Sequence, residues 1–183
     1  MDTWQVKERI RDFEERIPAI FSEDLKEYMV EGGFFTGPSS AGHHGAFEGG
    51  NFKHSRMVAM LLREYTDRFG LEWERPESPE IIGWLHDLCK MDEYIEYIIE
   101  QDGKGKTVYK HKISTLPGHG EKSVMMAERF MYLTEEEVHC ICWHMGAFTG
   151  KDLWGGYTEA VKKYPNILWT HQADMVASNV NGI

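Results

Sequence analysis

A mainly α-helical fold, with at most one small β-hairpin at residues 94–113, is what this sequence predicts. Three observations carry that expectation. Apolar residues recur at three- and four-residue spacing along most of the chain. Capping residues and glycine or proline stops punctuate those stretches. Only residues 107–113 alternate partly in the two-residue period of a strand, and they follow the turn signal Asp102-Gly103-Lys104-Gly105. The 183 residues suffice for one domain with a substantial core, divided into a helical extension over 1–40 and a core over 41–180.

Residues 3–16 read as an amphipathic helix through Trp4, Ile10, Phe13 and Ile17, ended by Pro18. Ser22 caps a second helix running to Val30, with Glu23 and Asp24 in its first turn. The Gly-rich stretch 31–50 is a loop, and loops of that length in a compact domain tend to be functional. A strong helix follows over 51–69, stopped by Gly70, with Met57, Met60, Leu61 and Phe69 on its buried face. Ser78 caps the next helix and Pro79 fits its first turn. That helix carries Ile81, Ile82, Leu85 and then His86-Asp87. After the hairpin, Pro117-Gly118-His119-Gly120 introduces a helix to about Met131. Thr134-Glu135-Glu136-Glu137 forms a capping box opening a helix that reaches His144. A Gly/Trp-rich loop at 146–156 precedes a short helix at 157–163, and the last helix, 167–179, carries Asp174.

Composition narrows the function. The formal net charge of −10 repels polyanions at long range, which argues against a binder of long duplex nucleic acid. A small phosphate ligand at a local positive site stays compatible with it. No apolar run reaches the roughly 18 residues of a membrane span, and the polar start has no secretory pattern. Three cysteines, Cys89, Cys140 and Cys142, suit a reducing, cytoplasmic setting. In a helix, Cys140 and Cys142 point to nearly opposite faces, so buried apolar thiols are a simpler reading than a zinc cluster. No residue pattern assigns an oligomeric state.

Six residues stand out: His54, His86, Asp87, His119, His144 and Asp174. Five helices or helix starts supply them, and a bundle can aim such side chains at a common centre. Imidazole with carboxylate suits Mn, Fe, Co, Ni or Zn, and magnesium less well. Asp87 has two oxygens and can bridge two ions. One ion would take His54, His86, Asp87 and Asp174; the other would take Asp87, His119 and His144. Each residue also has a plainer reading: a core or capping histidine, a solvated aspartate.

The motifs resemble the HD superfamily of metal-dependent phosphohydrolases. His54 matches its first histidine, His86-Asp87 its signature dyad, and Asp174 its final aspartate. Lys90 stands where many members carry a lysine after the dyad. The segment from His43-His44-Gly45 to His54-Ser55, with Gly118-His119-Gly120-Glu121-Lys122-Ser123, is similar to a branch that includes 3′–5′ exonucleases and relaxase-associated domains. The resemblance covers roughly residues 40 to 178. It departs at Trp143-His144-Met145, which offers one histidine where many dinuclear members have two.

The resemblance implies hydrolysis of a phosphomonoester or phosphodiester of a nucleotide or other small phosphate ester by a metal-activated water. Asp87 and Lys90 would act in catalysis, and Lys90, Lys122, His43 and His44 would contact substrate. One rival is a 3′–5′ nuclease on short single strands, which predicts a basic track leading to the metals; the sequence offers only scattered candidates such as Lys104, Lys106, Lys110 and Lys112. Another is a non-catalytic, metal-containing nucleotide- or partner-binding module.

Overall fold

The computed structural model describes residues 5–16, 20–116 and 118–183. Trp4, Ile17, Pro18 and Pro117 lie outside the described residues. Eight α-helices and one two-stranded hairpin make up the described chain.

Helix α1, Val6–Arg16, buries Phe13 and Arg9. The Arg9 guanidinium donates to the Phe35 carbonyl at 2.7 Å and pairs with Glu48, which ties α1 to the Gly-rich loop. Ser22 caps α2, Glu23–Glu31, as expected, accepting from the Leu25 N–H. The loop that follows is irregular but folded on itself. Phe34 and Phe35 sink into the core, and backbone bonds such as Ser39 N–H to the Gly45 carbonyl and Gly49 N–H to the Thr36 carbonyl close it.

Helix α3, Gly50–Phe69, stops at Gly70 with φ +63°, as its sequence predicts. Its buried face is rotated from the expected one. Asn51, Phe52, His54, Ser55, Val58, Ala59 and Leu62 point inward, while Met60 and Phe69 are exposed. An apolar stripe is a poor guide here because three of these seven inward residues, Asn51, His54 and Ser55, are polar. Helix α4, Ser78–Leu85, is buried along its whole length. Ser78 is its first residue and not its cap; the hydroxyl donates instead to Glu137 Oε1 at 2.8 Å.

The chain leaves α4 at His86, passes Asp87, and turns through a short 3-10 helix, Leu88–Asp92. The hairpin then forms from β1, Tyr94–Gln101, and β2, Lys104–His111, antiparallel. Asp102 and Gly103 between them have φ of 53° and 72°, the left-handed pair that a two-residue type I′ turn requires. Helix α5, His119–Ala127, is shorter than expected, since residues 128–131 tighten into a turn on the Ala127 carbonyl. Helix α6, Glu135–Trp143, has both bonds of the Thr134–Glu137 capping box. Two 3-10 turns lead to α7, Trp154–Lys163, and α8, Asn166–Met175, continues as one π-helical turn, Val176–Val180.

Trp84 is the middle of the core. It is fully buried, packed edge-on to Phe13 at 4.9 Å and against Phe52 at 5.7 Å, and its indole N–H donates to Glu80. Two glycine crossings then set the site. A Cβ on Gly83 would lie 2.3 Å from Ala59 Cα, so α3 and α4 touch backbone to backbone. A Cβ on Gly120 would lie 2.3 Å from the Ile141 carbonyl oxygen, so α5 meets α6 as closely. The first crossing brings His54 beside His86. The second brings His119 toward His144.

Candidate metal centre

Asp87 sits between these two crossings, and its two carboxylate oxygens face different neighbours. Oδ2 lies 3.3 Å from His54 Nε2, 3.4 Å from His86 Nε2 and 2.6 Å from the Lys90 ammonium. Oδ1 lies 2.5 Å from His119 Nε2 and 3.7 Å from His144 Nε2. Asp174, on α8, reaches His54 Nε2 at 3.0 Å. All six residues singled out in the sequence therefore converge. His54, His86, Asp87 and His144 are buried, and Asp174 and His119 form the more open side.

Backbone carbonyls orient three of the histidines. His54 Nδ1 faces the Ile183 backbone oxygen at 3.0 Å, His86 Nδ1 the Gly83 carbonyl at 2.9 Å, and His144 Nδ1 the Ile141 carbonyl at 2.6 Å. A carbonyl only accepts, so each Nδ1 carries the hydrogen and each Nε2 presents a lone pair to the centre. His54 Nε2 and His86 Nε2 are 3.1 Å apart, with no hydrogen between them if both rings are neutral. A cation is needed there. Burial opposes a proton on His54, but Asp174 and Asp87 outweigh it and raise the ring to about 9. A metal ion would satisfy the same lone pairs and carboxylates, so this donor set fits a divalent transition ion.

The remaining charges agree with that reading. Burial works against ionisation of Asp87, yet Lys90 and the surrounding histidines hold its carboxyl well below the usual range. Asp87 likewise holds the Lys90 ammonium protonated despite burial. Burial and then the neighbouring His86 lower His144 to about 3, which keeps it a neutral donor ring. His44 lies tilted against the His54 ring, centroids 5.4 Å apart, and burial lowers it to about 4.

The proposed substrate contacts are distributed differently. Lys90 lines both the centre and an adjacent cleft of about 370 Å³. His44 is beside the centre, whereas His43 is exposed on the loop. Lys122 is buried but commits its ammonium to Asp92, with Glu93 at 3.8 Å. Three contributors escaped the sequence: Cys89, whose sulfur lies 3.3 Å from His119 Nδ1; Glu93, 3.5 Å from the same nitrogen; and the Ile183 oxygen. The first two follow Asp87 within six residues, a proximity that only the 3-10 turn makes meaningful. Cys140 is buried and Cys142 half-buried, each raised by burial, as ordinary core thiols are.

No curated protein and no solved structure matches the chain. A family model does match it, over residues 51–174, described as the HD domain. That span begins three residues before His54 and ends on Asp174, so it contains all six converging residues and leaves His43 and His44 outside. With about two thirds of its length in that match and the family's histidines and aspartates gathered at one centre, the chain belongs to the HD superfamily of metal-dependent phosphohydrolases.

Proposed function

We propose that this protein hydrolyses a small phosphate ester, a nucleotide or similar compound with few phosphates. One observation carries the reading: the division of Asp87 between two sets of imidazoles, Oδ2 toward His54 and His86 and Oδ1 toward His119 and His144. His54, His86, Asp87 and Asp174 would hold one divalent ion, and Asp87, His119 and His144 a second. Bound ions supply Lewis acidity toward phosphoryl oxygens and a lowered pKa for water. The chain's own groups do the rest. Lys90 places a buried positive charge between Asp87 and the cleft, where a phosphoryl oxygen can meet it. His44, neutral at pH 7, offers a hydrogen-bonding group without adding charge.

The cleft supports a small substrate. Tyr94 and Tyr109 line it beside Lys90, and so do two carboxylates, Glu48 and Glu96. Carboxylates accept hydrogen bonds from hydroxyl or amino groups and repel further phosphates. The nuclease reading needs a basic track into the centre. Lys104, Lys106 and Lys110 do gather on one face of the hairpin, opposite Gln101, Ile99 and Ile95. Strand side chains alternate, so that face is turned away from the one carrying Tyr94, Glu96 and Tyr109 into the cleft. Lys110 covers the Tyr97 ring there at 4.9 Å.

The test is metal analysis of the purified protein followed by a phosphatase and phosphodiesterase screen with added Mn, Ni, Co and Mg. Bound transition metal and turnover of small phosphate esters, ahead of single-stranded oligonucleotides, are expected. An intact fold with no bound metal and no hydrolysis overturns the proposal.

A further inference from the structure

We infer that the His119 side of the centre is a thiolate-bearing metal position, with Cys89 as a ligand beside Asp87, His119 and His144. The inference rests on the metal-centre reading above and adds to it the chemical class of the ion. Cys89, Asp87 and His119 each present one donor atom, all within 4.8 Å of one another. The Cys89 sulfur lies along the edge of the His119 ring, 3.3 Å from Nδ1 and 3.7 Å from Nε2, the nitrogen that faces Asp87 Oδ1. His119 Nδ1 faces the Glu93 carboxylate at 3.5 Å and Nε2 faces Asp87 Oδ1 at 2.5 Å, so carboxylates flank both ring nitrogens and an ion on the Nε2 side would take the place of the proton there.

Two further observations point to a ligand at this place. His144 is buried with its Nδ1 bound to the Ile141 carbonyl, and its Nε2 stands 3.7 Å from Asp87 Oδ1. That is a buried ring nitrogen facing the centre at a distance too long for a hydrogen bond to Asp87. The backbone also fixes Cys89: its N–H donates to Ser123 Oγ on α5, the helix that begins with His119. That bond holds the Cys89 backbone against α5, with its sulfur beside the His119 ring.

A thiolate changes which ion binds. Thiolate with imidazole selects thiophilic ions such as Zn, Co(II) or Fe(II) and disfavours magnesium. The other side of Asp87 has only imidazole and carboxylate donors. Ligation by Cys89 needs the S–H proton to leave, so filling this position releases that proton to the buffer.

The test uses the full chain loaded with Co(II), without reference to activity. Two bound equivalents with a sulfur-to-cobalt charge-transfer absorption in the near ultraviolet are expected. In Cys89→Ser the band disappears, one equivalent stays tightly bound, and affinity for the second falls at least tenfold. Two bound cobalt ions with no such band, or a band that survives Cys89→Ser, overturn the inference and leave the phosphohydrolase reading intact. Absence of any bound cobalt overturns both. If Cys89→Ser does not fold, X-ray absorption of the zinc-loaded wild type decides: sulfur around one of two zinc ions supports the inference, and nitrogen and oxygen alone refute it.

Discussion

The two sides of Asp87 are built by different means. On the inner side, His54 and His86 are fully buried, and main-chain oxygens of Ile183 and Gly83 fix their rings. On the outer side, His119 keeps 28% of its side chain exposed and is oriented by other side chains, Cys89 and Glu93. A ligand fixed by the main chain is positioned wherever the helices are packed. A ligand fixed by side chains can be altered without disturbing the fold. The inner imidazoles are therefore part of the core, whereas the outer side pairs an adjustable His119 with a buried His144 held by the Ile141 carbonyl.

The largest expected effect comes from removing the residue both sides share. Asp87→Ala should lose both metal ions and drop turnover to background, measured by metal analysis and by a phosphatase assay. Retention of one tightly bound ion would show that one side stands without Asp87.

Next come variants that separate the sides. His86→Ala should empty the inner position and also destabilise the fold by about 2–5 kcal/mol, as large-to-small core changes do. His119→Ala should empty only the outer position and leave the apo-protein melting temperature close to wild type. Equal losses of stability would break the distinction. Chelation of the wild type tests the same point from the ligand side. An ion present at about 100 times its Kd adds about 2.7 kcal/mol, so removing it should lower the melting temperature measurably.

The two glycine crossings should respond in the same order. Gly83→Ala places a methyl against Ala59 Cα, and Gly120→Ala places one against the Ile141 oxygen. Overpacking of this kind costs about 1–3 kcal/mol. Gly83→Ala should weaken the inner ion first and Gly120→Ala the outer one, read by metal titration alongside thermal melts.

These differences also explain what the sequence made legible. The caps at Ser22, Gly70 and Thr134 and the Asp102-Gly103 turn are local chemistry, and each forms where the residues suggest. Ser78 reads as a cap by the same local rule and is not one, because its hydroxyl finds Glu137, 59 residues away. The face of α3 is misread because Asn51, His54 and Ser55 turn inward with its apolar residues. All six residues proposed as ligands come together, since motif spacing marks them individually. Cys89 and Glu93 were invisible because nothing in their spacing says that the chain after Asp87 curls back toward His119.

Glu93→Gln should have the smallest effect and draw the finest line. The carboxylate lies 3.5 Å from His119 Nδ1, and its other oxygen lies 3.8 Å from Lys122. Burial alone would raise the Glu93 carboxyl, but His119 outweighs it and holds it ionised. An ionised carboxylate on Nδ1–H makes Nε2 a stronger donor and fixes the ring plane. Glutamine keeps the shape and can still accept that hydrogen, but it removes the charge. Affinity for the outer ion should fall by about 10–100-fold, the range seen when such supporting groups are lost. The inner ion, whose imidazoles are supported by carbonyls, should be unmoved. Competition with a graded chelator resolves the two classes. Equal weakening of both would mean that Glu93 acts through Asp87 and that the two sides form one coupled site.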